Sequence, residues 1–274
     1  MHSTFASLMG ANPADDHLHV FETSWLLPAF ALFCFRALIS LYVFTSIFAN
    51  LAWNSIHYGS FSNSLYFSYF TNLSFWGLGF YFLFAALHTF LYYRTGRSVL
   101  FDKWPRALRA LHSLYYSTIV TYPFIVTIFY WALLFRGAWF EDDFEAWKNI
   151  STHIFPSFFA LFEIIFTATP PPPFLHLPFL IVMLVLYLGV AYITHAREGI
   201  YVYPFLNPYA AGKSHGIVTG YCFGILAACI VVFLMSWGLI SLRRWLAAPG
   251  RKQDGSQGFW SPRSDIEMGI PRRK

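Results

Sequence analysis

Charge is what this chain has least of. Only 11% of its 274 residues are Asp, Glu, Lys or Arg, against about 25% in an ordinary soluble domain. So few charges cannot keep the rest of the chain in water, and they exclude intrinsic disorder and a charged coiled coil. Cysteine is almost as scarce. Cys34, Cys222 and Cys229 all sit in apolar runs, which excludes a disulfide framework and reads as small buried side chains. The sequence has no C-x-x-C and no H-x-x-x-H, so no motif calls for a metal, and no other feature calls for a cofactor. It shows no internal repeat. Lys and Arg are missing from the first 24 residues, which hold Asp15, Asp16 and Glu22. A cleaved leader starts with a positive stretch, so residues 1–24 are expected to remain as an N-terminal segment.

What is abundant is apolar. The composition is 57% hydrophobic and 22% aromatic, with a mean hydropathy of +0.50. A helix needs about 20 apolar residues to cross ~30 Å of hydrocarbon. Six stretches meet that need or come near it: 25–49, 66–92, 111–135, 150–168, 174–195 and 217–242. Pro170 to Pro173 cannot sit inside a helix and force a tight reversal between the fourth and fifth. The expected fold is therefore all-α, a polytopic membrane protein of six transmembrane helices. Its domains are an N-terminal segment 1–24, a six-helix domain 25–242 and a basic, disordered tail 243–274.

Six spans put both termini on one side. The loop 93–110 carries five positive charges and the tail 243–274 carries eight, whereas the opposite loops hold four: Arg136, Lys148, Arg197 and Lys213. The positive-inside rule then places both termini in the cytosol. The net charge of +5 is thus a topology signal, and no nucleic-acid partner is expected. The tail's basic residues suit anionic lipid heads. Trp53, Tyr58, Trp139, Tyr201 and Tyr203 fall at span ends and read as interfacial belts.

Within the spans only Arg36 and Glu163 are charged. Each lies ~20 Å from the outer end of its span at 1.5 Å per residue. A lone charge at that depth is costly, so the two are expected to form a structural ion pair that fixes helix register. Thr71 and His153 form a second coincidence, both less than ~10 Å below the outer surface by the same rise. A hydroxyl and an imidazole at one depth fit a nucleophile and its base, working where an acyl carbonyl meets water. The same residues also fit plain roles, a hydroxyl bonded to its own helix and a histidine anchored at the interface. Asn72 and Asn149 are candidate donors to an oxyanion. His88, His112, His57 and His176 read as interfacial or structural.

These residues also carry a resemblance. Tyr69-Phe70-Thr71 heads the second span, and Asn149-Ile-Ser-Thr-His153 heads the fourth, with Glu163 ten residues further on. Tyr201-Val-Tyr-Pro-Phe-Leu206 follows the fifth. In this order and spacing the chain resembles the androgen-induced, FAR-type six-span membrane proteins. That family includes threonine hydrolases of fatty acid esters of hydroxy fatty acids. The resemblance implies Thr71 as nucleophile and His153 as its partner. The run Tyr69-Phe-Thr-Asn72 is also similar to the rolling-stone-like proteins, which are linked to cell fusion.

The expected function is an intramembrane lipid-ester hydrolase, without cofactor, acting on a fatty-acyl ester among membrane lipids. Its membrane would be the endoplasmic reticulum or the plasma membrane. Two rivals stay open: a non-catalytic multi-pass protein acting through partners, and a small transporter built on Arg36 and Glu163. A single intramembrane pair and the absence of a repeat count against the transporter.

Overall fold

The computed structural model describes residues 2–210, 212 and 214–247. Residues 248–274, most of the expected basic tail, lie outside the described residues, as does Lys213. No strand occurs among the described residues; a single bridge joins Ser24 and Thr167. The helices are α1 (His2–Leu8), α2 (Ala29–Tyr58), α3 (Phe70–Thr95), α4 (Val99–Lys103), α5 (Arg106–Ile119), α6 (Tyr122–Phe129), α7 (Asp143–His153), α8 (Phe155–Phe166), α9 (His176–Glu198) and α10 (His215–Ala247). Among the described residues, six helical stretches are long and apolar enough to cross a membrane. They are α2, α3, the pair α5–α6 extended to Leu134, the pair α7–α8, α9 and α10.

Two expected spans are not single helices. Pro123 and Pro156 explain both breaks. Proline has no N–H to give the carbonyl one turn back and clashes with it, so helices stop just before each proline and restart with it near the first position. At the first break Ser236 of α10 donates to the Val120 carbonyl at 2.5 Å. At the second, Ile154 joins α7 to α8. The third span then ends in one wide turn, Tyr130–Leu134, a form that often marks functional sites. Spans one and six also run further than expected, to Tyr58 and Ala247, because helix continues beyond the apolar stretch.

The core lies where α2, α3, α5, α8 and α10 meet. Val43, Leu78, Phe82, Tyr116, Ile164 and Ile240 are almost wholly buried there. Gly79 lets α2 approach α3, because a Cβ on it would stand 3.0 Å from Val43. Ser40 uses that closeness to donate to the Gly79 carbonyl at 3.1 Å. The opposite faces expose Leu38, Leu41, Leu186, Ile193 and Met235. In water this would be a liability, but in a bilayer it is the surface that meets lipid.

The N-terminal segment is folded onto one end of the bundle. Ala6, Met9 and Ala11 pack on Ala110 and Leu114. Arg106 and Arg109 hold Asp16 at 2.5 and 2.8 Å. Arg243, near the other chain end, donates to the Ile164 carbonyl at 2.7 Å and also to that of Thr169. Thr169 in turn donates to the Val20 carbonyl. The described ends of the chain thus share one end of the bundle.

Candidate functional site

At the other end of the bundle a cavity of about 280 Å³ opens between α3, the third span, α9, α10 and the segment 199–210. Its wall is hydrocarbon: Phe70, Ile125, Phe129, Leu184, Leu206 and Leu226 are typical. The polar exceptions are Thr71, Tyr130, Tyr187, Tyr203 and the thiol-bearing Cys222. No charged side chain lines it among the described residues.

Thr71 and Tyr187 both neighbour Tyr203. The second residue of α3, Thr71, stands beside Tyr203. The Phe70 N–H donates to the same Tyr203 oxygen at 3.1 Å. This N–H lies in the first turn, where no intrahelical acceptor exists. Tyr187 donates to the Ser68 carbonyl at 2.9 Å, and its ring centroid lies 6.4 Å from that of Tyr203. Burial pushes the Tyr203 phenol up from its ordinary value, so it stays protonated while its oxygen accepts from Phe70. Tyr203 reads from the sequence as an interfacial aromatic; the segment 199–210 instead folds inward and places it in the cavity wall. Only its position two residues into the Tyr201–Leu206 run marked it.

His153 is placed differently. It does not line the cavity. Its ring lies flat on that of Tyr130, with centroids 3.5 Å apart and planes at 4°. Its buried Nδ1 makes no hydrogen bond. Tyr130 does line the cavity, so the imidazole stands one ring behind the wall that carries Thr71. No hydrogen bond joins Thr71 to His153 among the described residues. Asn72 and Asn149 are both engaged elsewhere. Asn72 donates to the Tyr66 carbonyl at 2.7 Å. Asn149 accepts from the Tyr130 hydroxyl and donates to the Glu145 carbonyl.

Arg36 and Glu163 do meet. Nε and Nη2 of Arg36 donate to the two carboxylate oxygens, each at 2.8 Å. Nη1 donates to Thr89 at 2.7 Å and to the Phe21 carbonyl at 2.8 Å. Tyr81 donates to Glu163 at 3.1 Å. Both charges are fully buried and neither lines a described cavity. A closed, saturated pair of this kind suits register better than ion passage.

A second cavity, of about 60 Å³, lies at the N-terminal end. Glu22, which is 1% exposed, forms part of its wall. Ser98 bonds one of its oxygens, and His19 Nδ1 lies 2.6 Å from the Ser98 hydroxyl. The other oxygen makes no hydrogen bond and lies 3.9 Å from His88 Nδ1. Burial pushes the Glu22 carboxyl up to about 7, and Asp102 adds to the rise. His88 stacks on Phe101 and faces His112, as a buried structural histidine would. Nothing in the sequence marks Glu22 as buried, since its partners come from residues 88 and 98. Among the described residues no group of His, Cys, Asp and Glu is arranged to hold a metal ion.

Comparison with protein-family models, curated proteins and solved structures found no match for this chain.

Proposed function

We propose that this multi-pass membrane protein takes a lipid acyl chain into the 280 Å³ cavity and cleaves its ester at Thr71. One observation carries the reading: a threonine hydroxyl stands in a wall that is otherwise almost wholly hydrocarbon. An acyl chain fills such a space, and its carbonyl falls beside the hydroxyls of Thr71 and Tyr203. Thr71 Oγ adds to the carbonyl carbon and its proton passes to His153. Tyr203, held protonated by burial, donates to the oxygen that gains charge. The C–O bond to the alcohol breaks, and the alcohol leaves with the proton from His153. Water then hydrolyses the acyl–threonine ester, releases the acid and restores Thr71.

The step from Thr71 to His153 needs the Tyr130 ring to move aside, since that ring covers the imidazole. Motions of this kind complete many catalytic sites only when substrate is bound. The Thr71–Tyr203 contact favours a second reading, in which the cavity holds lipid and Thr71 only helps to shape it.

A fluorophosphonate probe distinguishes the two. Labelling of the wild-type protein in membranes that is lost in both Thr71→Ala and His153→Ala supports the hydrolase. Labelling that survives Thr71→Ala, or none on folded protein, leaves lipid binding. Both termini are assigned to the cytosol by the thirteen positive charges at their end against four at the other. The cavity then opens near the lumenal or external face, in the endoplasmic reticulum or plasma membrane.

A further inference from the structure

The cavity's wall includes two side chains that are mostly exposed, Val185 of α9 at 60% and Phe223 of α10 at 65%. The remaining lining residues are buried or half-buried. The space therefore reaches the protein's surface between α9 and α10. Val185 lies ~20 Å below the Glu198 end of α9, and Phe223 ~12 Å below the His215 start of α10, at 1.5 Å per residue. Both depths fall inside a ~30 Å hydrocarbon layer. Thr71, by contrast, is the second residue of α3, at the rim of the bundle. The chamber thus runs from hydroxyls near the interface to an opening within the lipid.

We infer that the cavity is loaded sideways from the bilayer, through a portal between α9 and α10 bounded by Val185 and Phe223, by a neutral single-chain lipid ester. The inference rests on the acyl-chain reading above but not on the chemistry at Thr71. An aqueous route would bring a ligand past water-facing polar groups, whereas this opening is flanked by Leu184, Leu188 and Leu226. Neutrality follows from the wall. No lysine, arginine or histidine lines it among the described residues, so an ionised fatty acid would lose its hydration with no cation to replace it. An ester carbonyl needs only the donors that Tyr203 and its neighbours supply. Hydrolysis converts the neutral ester to a carboxylate, so the same wall that admits the substrate disfavours the product.

The full-length protein in nanodiscs tests this with a fatty-acyl methyl ester that carries a diazirine on the chain and a clickable end. Photolabelled peptides are mapped by mass spectrometry. Label is expected on inner wall residues such as Ile125, Val126 and Phe129. It should be displaced by excess unlabelled methyl ester and much less by the free acid at pH 8. Val185→Trp, which narrows the portal, should reduce inner-wall labelling at least fivefold in a short exposure. Leu186→Trp, one residue away on the lipid face, should leave it unchanged and serves as the folding and insertion control. Equal inner-wall labelling in the wild type and Val185→Trp overturns the lateral route. Equal displacement by ester and acid overturns the neutral-ligand class. Labelling retained in Thr71→Ala separates a failure of the hydrolase reading from a failure of this one. Inner-wall residues that take no label in the wild type overturn both the portal and the acyl-chain reading.

Discussion

Removing either member of the Arg36–Glu163 pair should cost far more than removing both. The pair lies in the centre of the bundle, fully buried, with two parallel hydrogen bonds of 2.8 Å. Glu163→Met leaves the Arg36 guanidinium with Thr89 and the Phe21 carbonyl as its acceptors and no opposing charge. Arg36→Met leaves the carboxylate with Tyr81. An uncompensated charge in such a place costs about 3–5 kcal/mol. The double variant has no buried charge. Its loss is the three orphaned partners, Phe21, Thr89 and Tyr81, and Thr89 keeps a bond to the Ala85 carbonyl. At roughly 1 kcal/mol each for the other two, the double variant should lose about 2 kcal/mol. The sum of the singles, about 6–10 kcal/mol by the same figures, then exceeds the double by at least ~4 kcal/mol. Unfolding by SDS titration in mixed micelles, followed by circular dichroism, gives all four corners of the cycle. If the two single effects add to the double within about 0.5 kcal/mol, the pair is not a coupled buried unit and the reasoning fails.

Three further outcomes follow from other parts of the structure. Glu22 is raised from 4.5 to about 7, so its folded form binds the proton more tightly than its unfolded form. Its contribution is present in full below pH 4.5 and is lost as pH rises to 7, by at most about 3 kcal/mol. Melting in detergent should show this slope and Glu22→Gln should flatten it; an equal slope in the variant would refute the assignment. Gly79→Ala puts a Cβ 3.0 Å from the buried Val43 and should cost about 1–3 kcal/mol. Gly77→Ala, whose nearest neighbour stands at 3.9 Å, should be close to neutral in the same melt. Tyr130→Ala uncovers the His153 ring and should speed its carbethoxylation several-fold, read by mass spectrometry; an unchanged rate would show that Tyr130 does not shield it.

Much of the architecture is local, and local features were legible. Runs of apolar residues long enough to cross hydrocarbon mark six spans, because a bilayer leaves a spanning backbone no other way to satisfy its hydrogen bonds. Arg36 and Glu163 were readable as partners because depth along a helix is arithmetic and an isolated charge is intolerable. Thr71 stood out as a polar residue at the head of a span. Pro123 and Pro156 were visible too, but the breaks they cause were missed. Helix breaks depend on where other elements meet the freed backbone, as Ser236 does at Val120.

The rest needed the packing of residues distant in sequence. Nothing near Tyr203 says that its loop folds back to meet the Phe70 N–H, 133 positions earlier. Nor does residue order say that Tyr130 covers His153, because two helices at one depth can present any pair of faces to each other. Glu22 belongs to a polar N-terminal segment until Ser98 and His88 close over it. The sequence by itself determined that this chain is helical, with six stretches long and apolar enough to cross a bilayer, since those follow from composition and length, and that Arg36 and Glu163 lie at matching depth. Which side chains border a shared cavity was decided only by tertiary structure, because helix rotation and loop path are set by contacts between spans and leave no period in the chain.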